Sequence, residues 1–85
     1  MAEAIVFGVG ASAGLGGALC RRFARAGLSV LAAGRTEAKL ERVADEITRT
    51  GGRASSILCD VTLERDVLRA FDAAGAPPKV VVYNA

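Results

Sequence analysis

Short apolar runs alternate along the chain with longer segments in which apolar residues recur at helical spacing. The first run, from Ala4 to Val9, is almost wholly apolar and is followed by glycine, as expected of a strand buried on both faces of a parallel sheet. Further candidate strands lie at residues 28–34, 53–60 and 79–85. The pattern therefore predicts four short strands.

The segments between these strands each carry one apolar stripe, which is typical of an amphipathic helix. The first predicted helix covers about residues 14–26, and Gly27 stands where a left-handed residue would end it. Thr36 is the predicted N-cap of the second helix, which stops at the two glycines of residues 51–52.

Thr62 is the predicted N-cap of a third helix, which "GAPP" at residues 75–78 would end. Strands and helices then alternate as β-α-β-α-β-α-β with short connections. Right-handed crossovers between parallel strands put helices on both faces of the sheet. The prediction for residues 1–85 is the N-terminal part of a single α/β domain, a Rossmann-like half with four parallel strands and three helices that stops at the end of the fourth strand.

The uncharged stretch "VFGVGASAGLGGALC", residues 6–20, is interpreted as the loop between the first strand and the first helix. A secretion signal carries positive charge ahead of its apolar segment. Here Glu3 precedes the stretch, whereas Arg21, Arg22 and Arg25 follow it. It is also shorter than the roughly 20 apolar residues that span a bilayer. Neither export nor membrane insertion is therefore expected.

Three glycines of this loop have predicted mechanical roles. Gly10 would allow the tight turn out of the strand, Gly14 would let a pyrophosphate approach the backbone, and Gly16 would let helix and strand pack closely. The positive end of the helix dipole favours an anion, and Ser12 would add a hydroxyl donor. The spacing G-x-x-x-G-x-G is one residue longer than the common dinucleotide fingerprint, so a packing role alone stays open.

Composition narrows the function classes further. Hydrophobic residues make up 52% and charged residues 24%, as in a soluble globular domain. The net charge of +2 comes from arginines interleaved with acidic residues, and there is no tryptophan for base stacking, so nucleic-acid binding is not expected. Cys20 and Cys59 are far apart and the chain has no histidine. We therefore expect no metal site, and reduced thiols in the cytoplasm.

Three stretches in order resemble the short-chain dehydrogenase/reductase family over all 85 residues. "VGASAGLG" at residues 9–16 is similar to its cofactor loop T-G-x-x-x-G-[IL]-G, with Val9 in place of threonine. "CDVT" at residues 59–62 is similar to its D-[VL] step, and "YNA" at residues 83–85 to its N-N-A-G motif. Val9 cannot form the threonine's hydroxyl bond, and Tyr83 replaces the first asparagine, so a divergent branch is expected.

The resemblance implies a dinucleotide site at the ends of the strands. It implies that Asp60 contacts the adenine amino group, that Val61 lies along the ring and that Asn84 sits under the ribose. From the residues alone, Asp60 and Asn84 could instead be turn residues that follow a strand. The predicted cofactor-binding residues are Gly10, Ser12, Ala13, Gly14, Leu15, Gly16, Arg35, Thr36, Asp60, Val61, Asn84 and Ala85.

The end of the second strand predicts NADP(H) rather than NAD(H) as the cofactor. A carboxylate there binds both ribose hydroxyls and favours NAD. Gly34 stands where the resembled NAD-dependent proteins carry aspartate, and the guanidinium of Arg35 can pair with a 2′-phosphate. The alternative is that Arg35 is an ordinary solvated side chain.

The resemblance further implies hydride transfer between a nicotinamide and a carbonyl or alcohol, carried out with a serine, a tyrosine and a lysine. The only tyrosine, Tyr83, belongs to the fourth strand and has no Tyr-x-x-x-Lys continuation, so no catalytic residue is predicted. We expect an N-terminal part of a longer reductase, inactive alone and homo-oligomeric at full length. A stand-alone nucleotide-binding module and a purely structural domain are the alternatives. The apolar fourth strand would leave an open edge, which predicts self-association of the isolated chain.

Overall fold

Four strands and three helices alternate along residues 1–84, the part of the chain that the computed structural model describes. The strands are β1 Ala4–Phe7, β2 Ser29–Gly34, β3 Arg53–Leu58 and β4 Val80–Tyr83. The helices are α1 Leu15–Arg25, α2 Glu37–Arg49 and α3 Glu64–Ala74. All pairings are parallel, in the order β3-β2-β1-β4, which confirms the predicted fold class.

The sheet separates two apolar cores because successive side chains of a strand point to opposite faces. Ala4 and Val6 of β1 are fully buried on one face, in a cluster that includes Cys20 of α1 and Leu40 of α2. The other face is a second cluster, whose buried members are Ala2, Ile5, Phe7, Leu31, Ala33, Cys59, Ala70 and Ala74. Burial on both sides explains why β1 is apolar without alternation.

The strand order reverses at β1, and this reversal positions the candidate site. From β1 the chain builds β2 and then β3 on one side, and α3 then crosses the opposite face to place β4 on the other side of β1. Phe7 at the end of β1 pairs with Ala33 of β2 and with Tyr83 of β4. In open α/β sheets, ligands bind outside the carboxyl ends of the strands at such a reversal.

Two predicted strand ends shift by two residues. The first strand ends at Phe7 rather than Val9, because Gly8 turns the chain with a φ of +81°. The third strand ends at Leu58 rather than near Asp60. Both corrections place the following residues in connecting loops at the carboxyl ends of the strands.

The predicted N-caps differ in outcome. Thr36 is the N-cap residue of α2, but its side chain makes no cap hydrogen bond. Thr62 is not the N-cap of α3, because Leu63 takes that position. Instead, the backbone N–H and the hydroxyl of Thr62 donate to Asp60 Oδ1 at 2.9 and 2.7 Å. The left-handed glycine predicted after α1 is present at Gly27, and Gly51 and Gly75, where α2 and α3 were predicted to end, are left-handed as well.

Strand β4 is an open edge within residues 1–84, since it pairs with β1 alone. Its side chains Val81 and Tyr83 are 45% and 59% exposed, and Phe71 of α3 is also exposed beside them. An apolar edge strand with unpaired backbone groups is a template for pairing with another chain.

We expect the 85-residue chain produced by itself to self-associate through β4. Replacing Val81 with lysine should shift it toward monomer, because a charged side chain disfavours edge-to-edge pairing. The control is Thr48→Lys, at an exposed position on α2, which should leave association unchanged. Sedimentation velocity over a range of concentrations measures the effect. A monomeric, cooperatively melting parent chain would contradict this expectation.

Candidate functional site

A cleft of about 450 Å³ opens where the strands end. Connections that are distant in sequence meet there because parallel strands present their carboxyl ends on one edge of the sheet. The residues lining it are Gly8, Val9, Gly10, Gly34, Arg35, Thr36, Lys39, Cys59, Asp60, Val61, Thr62 and Asn84. The structure thus brings six predicted site residues together: Gly10, Arg35, Thr36, Asp60, Val61 and Asn84.

The rest of the predicted glycine loop lies beside the cleft rather than in its lining. Ala13, Gly14 and Leu15 are exposed at the start of α1, whereas Gly16 is buried. The first turn of α1 has no acidic residue, and its N-cap residue, Gly14, has no side chain that could accept a hydrogen bond from the first N–H groups. Backbone N–H groups at this helix end are therefore open to an anion. The predicted site residue Ala85 lies outside the described residues.

Ser12 does not present a free hydroxyl, contrary to its predicted role as a donor to an anion. Its hydroxyl donates to Glu46 of α2, and Arg21 of α1 donates to the Ser12 carbonyl oxygen at 2.8 Å and to its Oγ at 3.2 Å. Both partners lie on helices that flank the loop. Ser12 therefore ties the glycine loop to α1 and α2, and it would have to leave Glu46 before donating to a ligand.

Gly8 makes the turn out of β1 that the sequence analysis assigned to Gly10. Gly8 has a φ of +81°, and a Cβ there would stand 1.6 Å from the backbone oxygen of Asn84. Gly10 has no positive φ, and a Cβ there would meet no atom within 4 Å. The prediction was wrong about which glycine turns the chain. The position of Gly8 directly after the run "IVF" was a signal for it.

Gly16 lets α1 pack closely against the residues that directly follow β1 and β4, in line with the predicted close packing of helix and strand. A Cβ on Gly16 would lie 3.0 Å from Val9 Cα and 3.3 Å from Asn84 Nδ2. Gly34 is under a tighter constraint, because its Cβ would lie 2.2 Å from the Val9 carbonyl oxygen. Gly34 therefore has a steric reason to be glycine that is independent of any cofactor.

Asn84 joins the ends of β4 and β1 across the floor of the cleft. Its backbone N–H donates to Phe7 O at 3.0 Å, and its side-chain amide donates to Gly8 O at a longer 3.4 Å. Val9 is buried in the core on the α1 and α2 face. Packing of Val9 and the hydrogen bonds of Asn84 thus connect the end of β1 to the end of β4, although position 9 has no threonine hydroxyl.

Tyr83, the other departure from the resembled motifs, also contacts the cleft. Its hydroxyl donates to Val61 O at 3.3 Å, and its ring packs edge-on against Phe7 with centroids 5.8 Å apart. The tyrosine therefore links β4, at one edge of the sheet, to the loop that follows β3, the strand at the opposite edge.

Opposite charges face each other across the cleft. The hydroxyl and backbone N–H of Thr62 hold the pKa of Asp60 below its usual value, and the positive charge of Arg35 acts in the same direction. Arg35 is exposed and has no ion-pair partner within 4.0 Å among residues 1–84. Lys39 of α2, which the sequence analysis missed, adds a second cation to the lining of the same cleft. An anion that approaches Arg35 therefore meets two positive side chains.

Both thiols are free and buried, as predicted. Burial raises the pKa of Cys20 to about 12, and it also raises the pKa of Cys59, which lines the cleft. Residues 1–84 contain no group of three or more side chains that could hold a metal ion, and no helix in that range is long and apolar enough to cross a membrane.

Comparison with known proteins gives a consistent result. A family model described as short chain dehydrogenase matches residues 4–84. The A-factor type gamma-butyrolactone 1′-reductase (1S-forming) of Streptomyces virginiae is 36% identical over 72 residues, which cover 85% of this chain and 28% of that protein. The chain therefore spans little more than a quarter of the length of this relative.

Solved structures show the same likeness. A short-chain dehydrogenase from Rhodopseudomonas palustris superposes with a TM-score of 0.86 at 31% identity, over 95% of this chain and 38% of that one. A metagenomic short-chain oxidoreductase in complex with NADP gives a TM-score of 0.79 at 30% identity, over 100% of this chain and 40% of that one.

Proposed function

Since the chain belongs to the short-chain dehydrogenase family, we propose that it is the NADP(H)-binding N-terminal part of an oxidoreductase. The full-length protein would transfer a hydride between the nicotinamide and a small carbonyl or alcohol substrate. The observation that carries this proposal is the cleft, which joins Arg35, Asp60 and Asn84 beside the uncapped N-terminus of α1.

The residues present fit a dinucleotide. Ala13 and Leu15, exposed at the positive end of α1, would hold the pyrophosphate, and Gly14 would let it approach the backbone, although the Gly14 N–H itself donates to Ala11 O at 2.8 Å. Gly16 allows that helix to pack closely. Asn84 and Ala85 would support the adenosine ribose. The nicotinamide would supply or accept the hydride, whereas this chain would bind and orient the cofactor and contribute no catalytic residue.

The adenine would lie against the loop after β3. Asp60 Oδ1 is occupied by Thr62, whereas Oδ2 has no hydrogen-bond donor among residues 1–84. An ionised carboxylate oxygen in the cleft is a suitable acceptor for the adenine amino group. Val61, half-buried beside it, offers an apolar contact for the ring.

Arg35 and Lys39 support a preference for NADP(H) over NAD(H). Both line the cleft, and neither has a carboxylate partner within 4.0 Å among residues 1–84. A guanidinium forms paired hydrogen bonds with phosphate, so a 2′-phosphate would gain more here than a ribose hydroxyl. Thr36, beside Arg35, could donate its hydroxyl to the same group.

A cytoplasmic location and a homo-oligomeric full-length protein belong to the same proposal. The free thiols of Cys20 and Cys59 support the first, because a reducing compartment preserves unpaired cysteines.

Cofactor titration of the full-length protein tests the proposed function. We expect NADPH to bind more tightly than NADH, and NADPH to be consumed when a suitable carbonyl compound is present. The 85-residue chain should show no turnover. Binding of NADPH by the full-length protein without any hydride transfer would favour the stand-alone binding module. Failure to bind either dinucleotide would leave only a structural role and overturn the proposal.

A further inference from the structure

The connection from β3 to α3 is held by a buried carboxylate. Asp66 is 9% exposed and is the only charged residue that is buried among residues 1–84. Its Oδ2 accepts a hydrogen bond from the backbone N–H of Asp60 at 2.9 Å. Burial of a charge is costly unless it is paired and hydrogen-bonded, so this contact is a specific one.

Two arginines complete the surroundings of Asp66. Its Oδ1 lies 3.7 Å from Arg65 Nε and 3.6 Å from Arg69 Nη2. Arg69 Nη2 also donates to the carbonyl oxygen of Leu58, the last residue of β3, at 2.7 Å. Asp66 and Arg69 together therefore fix the backbone on both sides of Cys59.

This arrangement determines how Asp60 faces the cleft. Asp66 anchors the backbone N–H of Asp60, and Thr62 occupies its Oδ1. Oδ2 of Asp60 is then the carboxylate oxygen left for a ligand. Asp66 itself does not line the cleft, so any effect of Asp66 on a ligand must pass through the backbone that it holds, which it contacts directly at Asp60.

We propose that Asp66 is a positioning residue for adenine recognition: it holds the Asp60 backbone so that the Asp60 carboxylate meets the adenine amino group. This inference rests on the proposed function, in which the cleft binds a dinucleotide. The competing role is purely structural, because Asp66 also lies in the first turn of α3, where a negative charge stabilises the helix dipole.

A cofactor that lacks the adenine amino group separates the two roles. In the full-length protein, Asp66→Ala should raise the dissociation constant of NADPH about tenfold, the size expected when one hydrogen bond to a charged group is lost. In the hypoxanthine analogue of NADPH, a carbonyl replaces the amino group. Asp66→Ala should change the dissociation constant of this analogue by less than about twofold, because Asp60 has no amino group to bind there.

Three further variants control the experiment. Asp66→Asn keeps an oxygen that accepts from the Asp60 N–H and should restore NADPH affinity. Asp72→Ala removes an exposed carboxylate from the same helix and should change neither affinity. Should Asp66→Ala unfold, Asp66→Glu displaces the carboxylate by one methylene and should produce the same selective loss. Thermal melts establish that each variant is folded.

Each outcome decides between the hypotheses. Equal weakening of NADPH and its hypoxanthine analogue, or no weakening of either, would overturn the positioning role while the proposed function stands. If the parent protein binds neither dinucleotide, the proposed function fails and this inference fails with it.

Discussion

Replacing Gly8 with alanine is expected to destabilise the fold by about 4 kcal/mol and to abolish dinucleotide binding. The Cβ would stand 1.6 Å from the backbone oxygen of Asn84, and no rotation of a side chain relieves a clash between two backbone-fixed atoms. The φ of +81° adds strain for any residue with a Cβ. Since Asn84 lines the cleft, displacement of its backbone would also disturb the site.

Gly10→Ala is the matched control for this prediction, because it lies two residues away in the same loop. A Cβ on Gly10 meets no atom within 4 Å, so we expect stability to change by no more than about 0.5 kcal/mol. Cofactor affinity should nevertheless fall, because the methyl group enters open space that the cleft offers to a ligand. Urea unfolding measures the first quantity and NADPH titration the second. Equal stability of the Gly8 and Gly10 variants would contradict the close approach of β1 to Asn84.

Replacing Arg35 with aspartate is expected to raise the dissociation constant of NADPH about 100-fold in the full-length protein. A hydrogen bond to a charged group contributes about 1.5–3 kcal/mol, and the new carboxylate also repels the 2′-phosphate. NADH, which lacks that phosphate, should bind within a few-fold of the parent affinity. Titration with both cofactors measures the change in preference.

Arg22→Asp is the control, since it makes the same change of charge on an exposed residue outside the cleft. Arg22→Asp should leave the preference for NADPH over NADH unchanged. Gly34→Asp would also introduce a carboxylate at the end of β2, but it is unsuitable as a test of cofactor preference. A Cβ at Gly34 would lie 2.2 Å from the Val9 carbonyl oxygen and would disturb the fold. An unaltered preference in Arg35→Asp would mean that the guanidinium is only a solvated side chain.

The predictions that held rest on short-range patterns. The apolar run of β1 predicted a strand buried on both faces, and Ala4 to Phe7 are all buried. The stripe in α2 predicted its core face, which is buried at Leu40, Val43 and Ile47. Such patterns are reliable because helix and strand geometry repeats within a few residues, so the information needed lies inside the element.

The candidate site could be predicted in part for the same reason. Parallel strands separated by helices must end on one edge of the sheet, so polar residues at strand ends were expected to meet. Arg35, Asp60 and Asn84 do line one cleft. Which ligand they hold is not contained in that argument and depends on the family likeness and on the experiments above.

The local pattern of apolar residues was thus enough to predict the fold class, and the polar residues at the strand ends were enough to predict where the cleft lies. The tertiary structure alone showed that a Cβ is excluded at Gly8, because the Asn84 oxygen that it would meet comes from 76 residues further along the chain. It also showed that Ser12 is bound to Glu46, 34 residues away, and that Asp66 holds Asp60. These contacts depend on how separate elements pack against one another, and steric exclusion and buried hydrogen bonds of that kind leave no periodic mark on the sequence.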